Sequence, residues 1–397
     1  MPNAIQTKAK NAKNDEFYTQ YADIEKEISA YLEFDPDVFR GKTVFLPCDD
    51  PEWSNFTKYF AQNFEKFGLK KLISTSYAVN SKNYKDGYQP TLFETSAPYF
   101  DKVKTVNNGK IFTLTHDKTG DHKVNVDDLE WHYLEGDGDF RSNEIKKLRD
   151  ESDIIITNPP FSLFREFLAW IIEVEKQFVI IGNMNAIAYK EVFPLIENDK
   201  MWMGNGFNAG NAYFSTPFAK DYGEGVYNPE TGLVKFRNVC WFTNLDHGRR
   251  HQPLPLMTMA DNLKFSKHKE IKGKKSYDSY DNYDAIEVPY TDSIPSDYDG
   301  VMGVPISFLN KYSPEQFEIL GITQRGCHDK VPDTKKYDDY WEVQPNGKKT
   351  GSSGGKTNEN PNLVGNDGKK NYFTNKEGVV IQSVYQRIFI RHRKSTK

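Results

Sequence analysis

Cysteine is scarce in this 397-residue chain: Cys48, Cys240 and Cys327 stand far apart and form no CxxC pair. That spacing argues against a disulfide framework and a cysteine-rich zinc site, and it suits a reducing cytosol. Long apolar runs are missing too. None approaches the ~20 residues a membrane-crossing helix needs, so no membrane partner is expected. The opening residues, MPNAIQTKAKNAKN, lack the apolar stretch of a secretory signal. Excess charge of one sign is also absent, since 52 Lys and Arg face 56 Asp and Glu. A net charge of −4 does not advertise a nucleic-acid binder, but where the charge lies matters more than its sum. What the chain has in quantity is aromatic: 27 Phe, 23 Tyr and 6 Trp supply a substantial core despite a mean hydropathy of −0.72. At ~100–200 residues per domain, the length fits two domains, or one with an appended module.

Residues 1–14 read as a flexible basic tail. Asp15 is the expected cap of a helix over 15–32, in which Tyr21, Ile24, Ile28 and Leu32 recur at helical spacing. A short apolar strand over 43–46, an amphipathic helix over 57–69 and a strand over 70–78 make a βαβ unit, which calls for parallel pairing. Residues 80–130 read as a polar insertion with a hairpin in KIFTLTHDKTGDHKVNVDD, turning at Thr119-Gly120-Asp121. Strand character returns at 131–135. A charged helix over 143–151, a strand over 153–157, a helix over 163–176 and a strand over 178–184 follow. This alternation predicts an α/β domain with a doubly wound, mostly parallel sheet. The character changes near 255. Residues 256–300 are polar, 301–322 look structured, 327–376 read as loops, and 378–394 are strand-like. Within the polar stretch, YDSYDNYD (277–284) reads as a solvated linker.

The chemistry-bearing segment is DIIITNPPF (153–161), a buried strand ending in Asn158-Pro159-Pro160-Phe161. In open α/β sheets ligands sit at the carboxyl ends of strands, and this is such an end. The two prolines fix φ near −65° (about) and remove two N–H donors. What remains to face a ligand is a pair of acceptors, the Asn158 side-chain oxygen and the Pro159 carbonyl, with the Phe161 ring beyond. An exocyclic amine such as adenine N6 offers two N–H donors to such a pair. Holding both protons localises the nitrogen lone pair for attack on an electrophilic methyl, and an aromatic ring can stack on the base. Positioning and fixed dipoles suffice for this, without a general base of shifted pKa. The bland alternative is that Pro-Pro merely ends a strand.

A [D/N/S]-P-P-[Y/F/W] turn closing a strand is the catalytic motif of amino-group DNA methyltransferases, and the chain resembles the EcoRI-type adenine-specific methyltransferases in particular. The resemblance runs through NDEFYTQYADIEKEI (14–28), VFLPCDDPEWSNF (44–56), LEGDGDFRSNEI (134–145), DIIITNPPFSLFREF (153–167), WFTNLDHGRR (241–250) and MGVPISFLNKYSPEQFEILG (302–321), in one order. It implies S-adenosyl-L-methionine as methyl donor, adenine N6 in double-stranded DNA as acceptor, and a Rossmann-like methyltransferase fold. The implied organisation is a catalytic domain over 15–255, carrying the 80–130 insertion, and a target-recognition region over 256–397. Asn158, Pro159, Pro160 and Phe161 take the catalytic roles. Phe17, Tyr18 and Thr19 match the motif that covers the methionine end of the cofactor. The first-strand segment, with Pro47, Cys48, Asp49 and Asp50, would hold that end. Its family-wide form is Gly-rich, roughly FxGxG, whereas this chain has FLPCDDP, and the resemblance does not choose between Asp49 and Asp50 as the ligand. Asp139-Phe140 resembles the acidic-aromatic pair that contacts the cofactor's adenine, with Asp137 as competitor to Asp139. The second-strand end, STSYAVN, lacks the acid that ordinarily meets the ribose.

Other signals are weaker. GNGFNAG (204–210) has a GxG without a following helix and reads as a turn. His247 and His251 are four apart but lack a third ligand, so no metal is expected. The alternating acids of EGDGDF (135–140) lack a calcium-loop register. Arg249, Arg250, the six lysines of 264–275 and the basic segment 387–397 are candidate phosphate contacts, which position without specifying sequence. A monomer in the cytoplasm is expected. It would protect host DNA beside a cognate restriction endonuclease, with no stable complex implied, or act as a solitary or phage-borne methylase. Competing readings are methylation of RNA adenine or protein glutamine, and an inactive DNA-binding homologue.

Overall fold

A computed structural model describes residues 17–50, 54–78, 92–98, 100–207, 211–323 and 329–394. The basic tail, the Asp15 cap, residues 79–91 of the insertion, residues 208–210, Cys327 and residues 395–397 lie outside them. The chain divides into two compact units, the first running to Ala186 and resuming at Met201–Gly248, the second comprising Ile187–Lys200 and the chain from Arg249 on.

The first unit is built on an eight-stranded mixed sheet. Its centre is four parallel strands in the order β3 (Lys71–Ser76), β2 (Thr43–Leu46), β6 (Ile154–Thr157) and β7 (Gln177–Asn183). All four residues of β2 and all four of β6 are buried, as expected of strands covered on both faces. Helix α2 (Asn55–Gln62) joins β2 to β3, and its first turn is capped by the Ser54 hydroxyl, which accepts from the Phe56 N–H. Helix α3 (Asn143–Glu151), capped by Ser142, precedes β6, and helix α4 (Phe164–Ile172) links β6 to β7. Parallel pairing is confined to this centre. On one flank β3 pairs antiparallel with β4 (Lys110–Leu114), which pairs with β5 (Glu130–Tyr133). On the other, β7 pairs antiparallel with β12 (Val239–Thr243), which meets β8 (Trp202–Met203). The insertion's hairpin therefore closes on 130–133 rather than on the KVNV expected to return from Gly120. A buried Lys110–Glu94 ion pair, 2.7 Å, ties the insertion's short helical turn at Leu92–Thr95 to β4.

The helix expected over 15–32 begins later. Tyr18–Thr19 is a strand, β1, and the helix α1 spans Tyr21–Phe34. The reason is a backbone partner that helical spacing cannot reveal: β1 pairs antiparallel with β9 (Asn211–Ser215), Tyr18 opposite Ser215. With β10 (Tyr227–Asn228) and β11 (Leu233–Arg237) these form a second, four-stranded sheet.

The second unit holds a sheet of β13 (Ile286–Glu287), β14 (Met302–Pro305), β15 (Phe317–Ile322) and β21 (Arg387–His392). It also holds a five-stranded sheet of β16 (Trp341–Val343), β17 (Lys349–Ser353), β18 (Asn362–Val364), β19 (Tyr372–Thr374) and β20 (Val380–Ser383). The loops expected over 327–376 are thus partly strands. Three of their aromatics, Tyr337, Tyr340 and Phe373, gather with Ile381 into a buried cluster. The expected solvated linker is likewise ordered: Tyr277, Tyr280 and Tyr283 are buried, and Tyr283 packs on Phe389 at 4.9 Å.

Candidate active site

The carboxyl ends of β3, β2 and β6 carry the residues that the sequence singled out. Beyond β2 the chain turns sharply at Cys48, whose φ of +66° lies in the left-handed region. Glycine usually takes such a position, so Cys48 holds a backbone conformation that carries strain for a residue with a Cβ. Asp49 follows, 5% exposed, and is bonded to every neighbouring element. Its N–H donates to the Thr75 carbonyl at 2.8 Å, and its own carbonyl accepts from the Ser74 and Thr57 hydroxyls. Its carboxyl group meets the Ser54 hydroxyl at 2.6 Å through Oδ1 and the Thr157 hydroxyl at 2.6 Å through Oδ2. Burial pushes the Asp49 carboxyl up to about 7, against the opposing hydrogen bonds from Ser54 and Thr157, with Asp50 adding a smaller upward push. Asp50 is also buried.

Thr157 ends β6 and Asn158 follows it. The Asn158 amide Nδ2 donates to the Phe17 carbonyl at 2.7 Å. A carbonyl can only accept, so the amide orientation is fixed and Oδ1 is the atom left for another donor. Among the described residues no donor reaches Asn158 Oδ1 or the Pro159 carbonyl, whereas the Pro160 carbonyl accepts from the Leu163 N–H. Among the described residues, then, the two acceptors have unused capacity at the end of a fully buried strand.

Tyr18 and Thr19 reach this point as part of the second sheet, with Phe17 just before them. Thr19's carbonyl accepts from the Asn55 amide at 2.8 Å, which ties β1 to the start of α2. The Phe17 ring stacks on Phe161, centroids 5.8 Å apart and planes at 27°. Phe214 of β9 and Phe236 of β11 meet Phe161 edge-on at 6.2 and 6.4 Å. Sequence reasoning missed Phe214, Phe236 and Asn55. The alternation in NAYFS and LVKFR was the available signal for the first two.

At the end of β3 the loop 136–139 packs against the strand backbone, with the Ala78 N–H donating to the Asp137 carbonyl at 2.8 Å. Gly138, at φ +87°, permits this approach, because a Cβ there would lie 2.3 Å from the Ser76 carbonyl oxygen. Asp139 is bonded by Arg141 at 2.8 Å and by the Tyr77 hydroxyl, and the Arg141 bonds hold its carboxyl down at about 2. Asp137 is exposed and accepts from the Asp139 N–H. Phe140 is buried against Phe167 and Trp170 of α4, at 5.1 and 5.7 Å. Tyr77, which occupies the strand end where an acid was sought, is pushed up by burial and by Asp139.

The minor signals resolve locally. The N–H groups of Asn205 and Gly206 both donate to the buried Glu27 carboxylate at 3.0 Å, so that GxG turn holds an internal anion. His247 bonds the Met203 carbonyl, and His251 bonds Glu315. No cluster of three or more metal-ligating side chains occurs among the described residues. Two expected phosphate contacts are internal instead: Arg250 pairs with Asp199, and Arg387 is buried against Glu287.

Known proteins resemble this chain over most of its length. The family model described as "Adenine-specific methyltransferase EcoRI" matches residues 5–393. The Type II methyltransferase M.EcoRI of Escherichia coli is 44% identical over 321 residues, covering 80% of this chain and 89% of that protein. The Type II methyltransferases M.MgeORF184P of Mycoplasma genitalium and M.MpnI of Mycoplasma pneumoniae are 33% and 32% identical, each match covering 79% of this chain and 84% of the relative. No solved structure matches at a significant level. The chain belongs to the EcoRI family of adenine-specific methyltransferases, and its reaction is the methylation of adenine in DNA.

Proposed function

We propose that the chain transfers a methyl group from S-adenosylmethionine to N6 of an adenine flipped out of duplex DNA, and that Asn158 and Pro159 hold the amine during transfer. The observation that carries this reading is the pair of acceptors, Asn158 Oδ1 and the Pro159 carbonyl, which no described donor satisfies. The family implies S-adenosylmethionine as donor, and when bound it supplies an electrophilic methyl on a sulfonium. The residues present fit that molecule. Thr19 Oγ1 is buried with no partner among the described residues, on the segment expected to cover the methionine end. An orphaned hydroxyl of this kind suits a carboxylate or ammonium ligand. Asp139, kept ionised, suits an exocyclic amine as donor to it. Phe140, packed into α4, fixes the loop that presents Asp139.

Two fixed acceptors draw both amine protons aside and leave the nitrogen lone pair pointing outward. They also stabilise the positive charge that develops on nitrogen as the bond to carbon forms. The central parallel strands, with helices joining β2 to β3 and β6 to β7, support reading the first unit as a Rossmann-like, doubly wound methyltransferase sheet with antiparallel flanks. The second unit is the proposed target-recognition region, in which lysines of 264–275 would contact phosphates and other side chains would read base edges. A cytoplasmic monomer beside a restriction endonuclease is the proposed setting.

Base capture should cost a few kcal/mol for unstacking. Phe161 offsets part of this by stacking, and Phe17, Phe214 and Phe236 brace it. Replacing Phe161 by Ala should weaken productive duplex binding by ~1–3 kcal/mol while S-adenosylmethionine affinity holds. Titration calorimetry with each ligand separates the two, and an unchanged duplex affinity and rate would remove Phe161 from this role. The reaction itself is tested by sequencing DNA from cells that express the chain, with a method that detects N6-methyladenine. Methylation at one recurring sequence is expected. Unmodified DNA in cells that make the folded protein would refute the reading.

A further inference from the structure

We propose that Asp49 is a positioning residue: held as a neutral carboxylic acid, it locks Thr157, and through it Asn158, onto the turn after β2, and it is not a cofactor ligand. The inference rests on the reading of Asn158 as an amine acceptor.

The geometry makes room for an extra proton. Thr157 Oγ1 lies 2.6 Å from the Pro47 carbonyl and 2.6 Å from Asp49 Oδ2. One hydroxyl has one proton, and an ionised carboxylate and a carbonyl are both acceptors only. Both contacts are satisfied if Asp49 Oδ2 carries a proton and donates to Thr157, which donates to Pro47. The Ser54 hydroxyl, itself accepting from the Phe56 N–H, donates to Asp49 Oδ1. A directed chain thus runs from the cap of α2 through Asp49 and Thr157 to the strand end at Pro47. Both carboxyl oxygens are engaged by side chains of the fold itself, Oδ1 by Ser54 and Oδ2 by Thr157. The raised carboxyl of Asp49 is consistent with this arrangement. The groups facing it from β3, β6 and α2 are the hydroxyls of Ser74, Thr157, Ser54 and Thr57, and the titratable group acting on it among the described residues is Asp50.

The sign of the pH effect follows. Folding raises this carboxyl, so the intact chain of bonds is fully present at low pH and is lost as pH rises through about 7. Ionised Asp49 would take the Thr157 proton from Pro47 and leave two oxygen lone pairs facing each other next to Asn158.

The test compares Asp49→Asn and Asp49→Ala. An amide donates to Thr157 through Nδ2 and accepts from Ser54 through Oδ1, and it cannot ionise. Asp49→Ala should lower kcat by about tenfold or more through lost positioning, with S-adenosylmethionine affinity little changed. Asp49→Asn should restore most of that loss below neutral pH and lack the decline of kcat expected of the unsubstituted enzyme as pH rises through about 7. Loss of S-adenosylmethionine binding in Asp49→Asn, or the same alkaline decline in that variant, would overturn the assignment. Should Asp49→Ala fail to fold, Thr157→Val breaks the same link and Thr157→Ser preserves it; equal kcat in these two would also overturn it. Infrared difference spectra give a readout independent of adenine chemistry. A protonated-carboxyl band at neutral pH should vanish in Asp49→Asn, and its absence from the unsubstituted protein would refute the proposal even if DNA is methylated.

Discussion

Replacing Asn158 by Ala should lower kcat by at least about 10²–10³-fold, the usual cost of deleting one preorganised polar group at a reacting centre. S-adenosylmethionine affinity should stay within a few-fold of normal, because the amide is assigned to the amine and not to the cofactor. Two effects combine. Oδ1 is one of two acceptors for the amine protons, and Nδ2 is the donor that fixes the Phe17 carbonyl at 2.7 Å. Asn158→Asp separates them. An ionised carboxylate would set an acceptor against the Phe17 carbonyl, so it should keep an acceptor for the amine yet disturb the Phe17–Phe161 stack. Single-turnover methylation with both variants, beside calorimetric cofactor binding, checks this. Near-normal turnover in Asn158→Ala would refute the assigned role.

The largest stability effect should lie in the second unit. Arg387 and Glu287 form a buried pair, with Nη2 to Oε1 at 2.6 Å and Nε to Oε2 at 3.1 Å. The Tyr280 hydroxyl donates to the same carboxylate. Removing Arg387 leaves that carboxylate buried without its cation, at a cost of ~3–5 kcal/mol. Arg387→Ala should therefore lose several kcal/mol in urea unfolding. Combining Arg387→Met with Glu287→Leu should recover part of the loss, since no lone buried charge remains. A loss under ~1 kcal/mol, typical of exposed pairs, would contradict the burial of this one. Because Arg387 is internal, any loss of DNA affinity in a folded variant should leave the salt dependence of binding unchanged. A phosphate contact would instead reduce that slope by about one.

How legible the molecule was depended on how local each signal is. The helix at Asn143–Glu151 has its cap, Ser142, next to it in sequence, and the buried strand Ile154–Thr157 opens on three consecutive isoleucines. Both were readable. The Phe17–Thr19 segment was not, because its conformation is decided by Asn158, Asn55 and Ser215, all distant in sequence. Helical spacing from Tyr21 onward was extended back over residues that a remote strand claims. The aromatic enclosure of Phe161 escaped for the same reason. In the second unit, sparse aliphatics suggested loops over 327–376, while Tyr337, Tyr340 and Phe373 supplied enough apolar surface for a small sheet. Arg250 and Arg387 were over-read as phosphate contacts, since charge in a sequence does not disclose whether Asp199 or Glu287 already faces it. The acceptor pair at Asn158-Pro159 was legible because proline's missing N–H and asparagine's side-chain oxygen are properties of residue type alone.

The most direct test is a crystal structure of the enzyme with duplex DNA and a non-reactive cofactor analogue. The target adenine should be extrahelical, with N6 within about 3 Å of both Asn158 Oδ1 and the Pro159 carbonyl and the base lying on Phe161. An adenine still stacked in the duplex, or an N6 turned away from that pair while facing the analogue's methyl position, would contradict the proposed chemistry.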